Sequence, residues 1–422
     1  MRILIISDVY PPEISSAGHL MKELAEGLNK KGHQVTVATS YPRCYLDSQE
    51  ESKKFALSSL EDGVNVIRIK TLPLRKVNFI LRGISQLLLP FLFLNKIKKQ
   101  VKGDIDVTII YSPPILLGSM AKKIKKHYNS KVILNVQDIF PQNAIDLGIL
   151  KNKLLIKLFE SIEKTAYKNA DIITFNSDGG RKFLIEKKGL LPEKVITFYN
   201  WIDPKPYQNL EEKISFREKF ELQNKFIFLF AGVMGPAQGL DFLIKVAKEV
   251  SDTKDIVFLL VGDGMEKEKL EKMIKECALS NVVIKPFISK DNYPYLLKDV
   301  DVGMVCLSAK NKTPFIPGKF LGYLASGKPV VAFLNKESDS FSLIEKANCG
   351  YAVTSDDEKK AAEMIRKIYK GRDNLENFSK SGKEYTRNNL TIDVSIKKFE
   401  ELFEKLNRKN YPKSDKKHFI IN

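Results

Sequence analysis

Three stretches of this chain put residue types that can handle an anion or a hydroxyl where the backbone is forced open. Asn311 to Ala332 reads NKTPFIPGKFLGYLASGKPVVA. Pro314, Pro317 and Gly318 keep its first part irregular and deliver Lys319 to a helix N-terminus, where unpaired N–H groups and the helix dipole favour negative charge. The second stretch, Ala231 to Gly239 (AGVMGPAQG), follows the apolar run Phe226 to Phe230. Gly232, Gly235 and Gly239 let the backbone approach a ligand closely, and a helix from Leu240 aims its N-terminus at the same place, which suits a diphosphate. The third is Asp138, just after the apolar run Val132 to Asn135; ligands gather at the carboxyl ends of strands in open α/β sheets. Plainer assignments stay open on the residues alone. Lys319 can be a solvated helix-start lysine, Gly327-Lys328-Pro329 a turn between core elements, and Asp138 an N-cap.

The elements that must position these residues alternate. Arg2 to Ser7 reads as a buried parallel strand, Pro11 and Pro12 delay the next helix, and Leu20, Leu24 and Leu28 recur at helical spacing after Gly18. Gly32-His33 closes that helix before a strand at Gln34 to Thr39. Further strands are read at Asn65 to Ile69, Asp106 to Tyr111, Val132 to Asn135, Ala170 to Ser177 and Lys194 to Phe198. A charged, proline-containing linker follows, and a second α/β unit begins at Phe226. Ser326 to Pro329 stops the helix marked by Phe320, Leu321 and Leu324, and Val330-Val331-Ala332 starts a strand. The last helix carries Ile392, Ile396, Phe399, Phe403 and Leu406 on one stripe.

PGKFLGYLASGKPVVA resembles the P-S-K-x-x-E-Y-x-A-x-G-K-P-V-V-A pattern of the retaining family 4 glycosyltransferases. The match is to the subgroup of bacterial N-acetyl-L-fucosamine transferase-like polysaccharide enzymes. The resemblance extends through YPPEISSAGH, the Asp138-Ile139-Phe140-Pro141-Gln142 segment (for D-x-W-P-E), Asn200 to Asp203 and AGVMGPAQGL. It implies the GT-B fold, an α/β arrangement of two Rossmann-like domains facing across a cleft, with a C-terminal helix crossing back. It divides the chain into an acceptor-binding domain at 1–203, a linker at 204–219, a donor-binding domain at 220–390, a crossover helix at 391–408 and a basic tail at 409–422.

The resemblance also implies roles. Lys319, Gly232, Gly235, Gln238, Gly239 and Gly262 hold the donor, the backbone around Phe287 and Ile288 holds its base, and Gly18 and His19 lie on the acceptor side. Asp138 and Lys319 serve the reaction. The donor is a nucleoside diphosphate sugar, UDP-linked; no further cofactor and no metal is expected, since no D-x-D motif stands at a strand end. The family's paired glutamates are replaced by Pro314 and Gly322, and Met234 and Gln238 stand where many members carry Arg and Lys. A non-catalytic subunit of a polysaccharide synthase would also accommodate the missing glutamates.

Lys and Arg number 69 against 51 Asp and Glu, a formal charge of +18. Such a surface attracts anions, but no zinc-finger, RRM or KH signature points to nucleic acid. Between Leu87 and Leu94 runs LLLPFLFL, flanked by Arg75, Lys76 and Arg82 on one side and Lys96, Lys98, Lys99 and Lys102 on the other. Eight residues are too few to span a bilayer, which takes about 20. The Arg82 to Lys102 stretch can lie at a membrane surface or be a buried helix with a basic face. Cys44, Cys277, Cys306 and Cys349 form no C-x-x-C pair, and the N-terminus lacks a signal-peptide pattern. The expected location is the cytoplasm, at the inner face of the cell membrane, where a polyprenyl-diphosphate-linked or saccharide acceptor would be met.

Overall fold

The computed structural model describes residues 1–13, 15–43, 46, 55–72, 79–211 and 214–407. Cys44, Arg75, Lys76 and the tail at 409–422 lie outside them.

Short runs rich in β-branched residues, such as RILII and VTIIYS, suit strands buried on both faces, and such strands assemble into parallel sheets covered by crossover helices. Two sheets result. The first contains β1 (Arg2–Ile6), β2 (Gln34–Ser40), β3 (Ser58–Glu61), β4 (Val64–Ile69), β5 (Val107–Ser112), β6 (Lys131–Val136), β7 (Ile172–Phe175) and β8 (Val195–Thr197). Their order is β3-β4-β2-β1-β5-β6-β7-β8, with Ile3 in register with Val35 on one side and Val107 on the other. The second contains β9 (Phe226–Val233), β10 (Ile256–Asp263), β11 (Val282–Lys285), β12 (Val302–Cys306), β13 (Val330–Leu334) and β14 (Gly350–Thr354), in the order β11-β10-β9-β12-β13-β14. All their pairings are parallel except β3 with β4. The chain thus builds the two expected Rossmann-like units.

Sequence reading missed β3. Its signal was present: Glu61-Asp62-Gly63-Val64 turns with positive φ at both Asp62 and Gly63, the conformation of a two-residue hairpin. The first helix also starts earlier than read, at Ser16, because the Ser15 hydroxyl accepts from the Gly18 N–H at 3.0 Å. Gly18 and His19 therefore stand in a helical turn and not in the loop before it.

LLLPFLFL lies within a 22-residue helix, Phe79–Gln100. Leu89, Phe93 and Ile97 are fully buried, whereas Leu87, Leu88 and Phe91 are exposed, so the two readings of this run divide between two faces of one helix. No described helix is long and apolar enough to cross a membrane. The Ile392–Asn407 helix returns to the first sheet, where Ile396, Phe399 and Phe403 join Ile3, Leu24, Phe198 and Trp201 in one cluster.

Candidate functional site

In the second sheet the strand order reverses between β9 and β12, which opens a crevice at the carboxyl ends of those strands. Both anion-suited loops end there. The Ser308 N–H donates to the Ala237 carbonyl at 2.9 Å, and Gly239, at φ +58, packs so closely that a Cβ would come within 2.8 Å of Ser308 Cα. From the start of the Lys319–Ser326 helix, whose N-terminus has no side-chain cap, Lys319 reaches back into the glycine loop. Its Nζ donates to Gln238 Oε1 at 2.8 Å and lies 4.6 Å from the centroid of the Phe230 ring. Gly232, at φ +143, leaves room beside it: a Cβ there would stand 3.7 Å from Lys319 Cε.

Gly232, Gln238 and Lys319 are thus brought together, with Gly235 facing open space beyond its own loop. Among the described residues no carboxylate pairs with Lys319. Burial pulls its ammonium down to about 8, opposed by the Cys306 thiol. A cation held by a neutral amide and an aromatic face lacks a counter-ion, and a bound anion would push its pKa back up. Gly262 has a packing duty: it is in register with Gly232, and a Cβ would run into the Gly232 carbonyl. Lys328 is likewise structural, its Nζ donating to the carbonyls of Lys298 and Val300 at 3.0 and 2.8 Å.

Across the cleft, Asp138 follows β6. It does not cap the next helix, Gln142–Asp146, which has Pro141 at its N-cap and no side-chain cap. Among the described residues its carboxylate has no hydrogen-bond or ion-pair partner, and burial raises its pKa. Tyr111, at the end of neighbouring β5, is raised by burial and then by the Asp138 charge. Beside Asp138 lies an amide network that sequence reading missed. Gln137 Oε1 accepts from Asn176 Nδ2 at 3.1 Å and from Asn200 Nδ2 at 2.7 Å. Its signal was an amide just past the end of each of three strands, β6, β7 and β8.

His19 meets the opposite domain. Lys290 Nζ stands 3.2 Å from His19 Nδ1, and burial, then the Lys290 charge, lowers His19 to about 4. At neutral pH the imidazole is uncharged and accepts from the lysine. Gly18 is buried, with Tyr10 Cα 3.4 Å from where its Cβ would be. Phe287 is exposed and Ile288 half-buried on the loop that carries Lys290.

This geometry can be set beside known proteins. The Glycosyltransferase Family 4 model matches residues 17–205, and the model described as Glycosyl transferases group 1 matches residues 211–385. The chain belongs to the family 4 glycosyltransferases. WcaI of Escherichia coli (strain K12), named as a glycosyl transferase of colanic acid biosynthesis, is 26% identical over 78% of this chain and 82% of its own. A Campylobacter jejuni enzyme named as an N-acetylgalactosaminyltransferase acting on a diphospho-undecaprenol-linked sugar is 28% identical over 49% of this chain and 52% of its own. The crystal structure of Anabaena HepE with UDP-glucose superposes with a TM-score of 0.72, at 16% identity, covering 96% of this chain and all of that one. The fold of this glycosyltransferase is therefore GT-B, and its relatives include enzymes of bacterial polysaccharide biosynthesis.

The glycosyltransferase departs from its family pattern at Pro314 and Gly322, and the structure supplies a reason at the second. The Tyr293 ring lies over Gly322: a Cβ there would come 3.1 Å from Cε1 and 3.3 Å from the hydroxyl. A side chain at position 322 would press on the Tyr293 ring, which would have to give by a few tenths of an ångström. Asp299-Val300-Asp301, a D-x-D at a strand start, is structural; Asp301 pairs with Arg217 at 2.8 Å and Asp299 accepts the Phe216 and Arg217 N–H groups.

Proposed function

We propose that this glycosyltransferase moves a sugar from a UDP-linked donor to a polyprenyl-diphosphate-linked or saccharide acceptor, with retention and without a metal, at the inner face of the membrane. N-acetyl-L-fucosamine or a related aminosugar is the sugar proposed. The observation that carries this reading is the half-buried Lys319 ammonium, lacking a counter-ion among the described residues and set in a glycine-lined crevice at a strand-order reversal. That is a seat for a diphosphate.

In the proposed reaction the acceptor oxygen bonds to the anomeric carbon on the face from which the phosphate leaves. The anomeric C–O bond breaks as the new one forms, and the acceptor proton passes to the departing phosphate oxygen. No protein nucleophile is needed. Lys319 stabilises the charge that builds on the diphosphate. Asp138, from the other domain, orients the acceptor hydroxyl or offsets positive charge on the sugar. The Campylobacter relative's named substrate supports a lipid-linked acceptor, and the exposed face of the Phe79–Gln100 helix supports a membrane contact within Arg82 to Lys102.

Saturation-transfer NMR against a panel of UDP, GDP and dTDP sugars tests the donor. Transfer to the sugar and uridine protons of a UDP-aminosugar, weakened in Lys319→Ala, is the expected result. Saturation only from GDP or dTDP sugars would refute the nucleotide, and no saturation from any donor would refute the reading.

A further inference from the structure

An apolar pocket of about 180 Å³ opens on the amino-terminal domain. Leu87, Phe91 and Leu94 of the Phe79–Gln100 helix form one wall, and Met120, Lys123 and Ile162 the others. Ile162 belongs to the Lys153–Asn169 helix, so the pocket ties the Arg82 to Lys102 stretch to a second helix.

On that second helix Leu154, Leu158 and Ile162 are spaced four residues apart and share one stripe. The stripe runs from Leu154, 78% exposed, through exposed Leu158 to the pocket wall. On the first helix Ile84, Leu87, Leu88 and Phe91 (62%) are exposed, back to back with buried Leu89, Phe93 and Ile97. Two exposed apolar stripes flanking one pocket are more than the scattered single residues a soluble surface tolerates, and such a patch marks an interaction site.

Charge complementarity identifies the partner. Segments 79–103, 107–137 and 147–159, which carry the two stripes and the pocket apart from Ile162, contain no Asp or Glu. They do contain Lys96, Lys99, Lys122, Lys126, Lys153 and Lys157, and Lys123 holds its ammonium 5.2 Å from the centroid of the exposed Phe91 ring. Glu160 is the first acid on the second helix; two residues beyond Leu158, it points to the far side. Exposed apolar stripes on lysine-rich segments free of acids as far as Glu160 match a bilayer with anionic headgroups over hydrocarbon.

We propose that the Phe79–Gln100 and Lys153–Asn169 helices form one platform that docks on an anionic bilayer, the pocket between them receiving a lipid hydrocarbon chain. This deepens the membrane contact proposed above and rests on it. It adds the second helix, and so fixes which side of the amino-terminal domain faces the lipid.

Flotation with phosphatidylglycerol-containing and with pure phosphatidylcholine vesicles tests it. The full chain should bind the first and not the second, and release at about 0.5 M salt, where screening shortens the reach of charge to a few ångströms. Leu154→Ser/Leu158→Ser should weaken binding about tenfold, as should Leu88→Ser/Phe91→Ser, while Leu191→Ser, an exposed leucine elsewhere, leaves it unchanged. Because the substituted side chains are exposed, melting should not move. Fluorescence gives a second measurement: Leu154→Trp should be quenched by lipids brominated in their chains, and Met265→Trp, exposed on the other domain, should not. Wild-type binding that survives Leu154→Ser/Leu158→Ser, or equal quenching of both tryptophans, overturns the platform and leaves the first helix as the contact. Absence of wild-type binding overturns both.

Discussion

Lys319 is the residue whose chemistry is most constrained by its surroundings. Its folded pKa of about 8 lies below the ordinary lysine value, and a bound diphosphate would raise it. UDP affinity should therefore be flat between about pH 7, above the second ionisation of the terminal phosphate at about 6, and pH 8. Above pH 8 binding must take up a proton, so affinity falls by up to tenfold per pH unit until the pKa of the complex is passed. Isothermal titration at several pH values reads this directly. In Lys319→Arg, always protonated, the alkaline fall should vanish even if the overall fit is poorer; an identical fall in both proteins would assign the titration elsewhere. Lys319→Ala should cost about 1.5 to 3 kcal/mol of donor binding, the worth of a charge-assisted hydrogen bond. Asp138 allows a second test at this scale. Since it caps no helix, Asp138→Asn should leave the melting temperature unchanged while kcat drops by one to three decades at near-normal donor affinity. In the wild type kcat should fall on the acid side as the carboxyl, raised by burial, takes up its proton. An Asn variant with full activity would remove Asp138 from the reaction.

At the scale of elements, the two domains are joined at helix ends. Asp339, just before the Ser340–Ala347 helix, accepts from the Gly180 N–H at 3.2 Å in the first turn of the Asp178–Glu186 helix, and Lys346 stands 3.5 Å from Asp178. The adjacent glycines there serve different partners. A Cβ on Gly179 would overlap the Asp339 carboxylate of the other domain, while one on Gly180 would overlap the Phe175 ring beneath its own helix. Gly179→Ala should therefore part the domains, raising the radius of gyration in small-angle scattering with a stability change within about 0.5 kcal/mol. Gly180→Ala should cost about 1 to 3 kcal/mol by overpacking. Scattering unchanged in Gly179→Ala would mean the carboxylate moves aside and the domains do not. Neither duty was legible beforehand, because a glycine pair at a helix start reads as a local matter. The same applies to Tyr293 over Gly322 and to Lys290 beside His19, partners separated by 29 and 271 residues in the chain. What was legible was local: the strand runs, the glycine loop after Phe230, and the Gly327 stop, which takes the left-handed conformation at φ +71.

For the whole molecule, the end of the chain closes the structure. The Ile392–Asn407 helix starts beside the second domain and packs on the first, where the Phe399 ring lies 4.1 Å from that of Phe198 and 6.4 Å from Trp201. Trp201 is the chain's single tryptophan and is 2% exposed. Its emission reports on this junction, whereas far-ultraviolet ellipticity reports on both domains. Phe399→Ala removes a fully buried ring, at a cost of about 3 to 5 kcal/mol. If the helix is the tether that couples the domains, that loss falls on the first domain and its link to the second. Tryptophan fluorescence should then report unfolding at a lower urea concentration than ellipticity, with the emission shifted to the red before the second domain melts. The two probes should coincide in the wild type. Coincident but equally lowered transitions in Phe399→Ala would mean that the two domains and the helix unfold as one cooperative unit, with the helix a part of its core and not a tether.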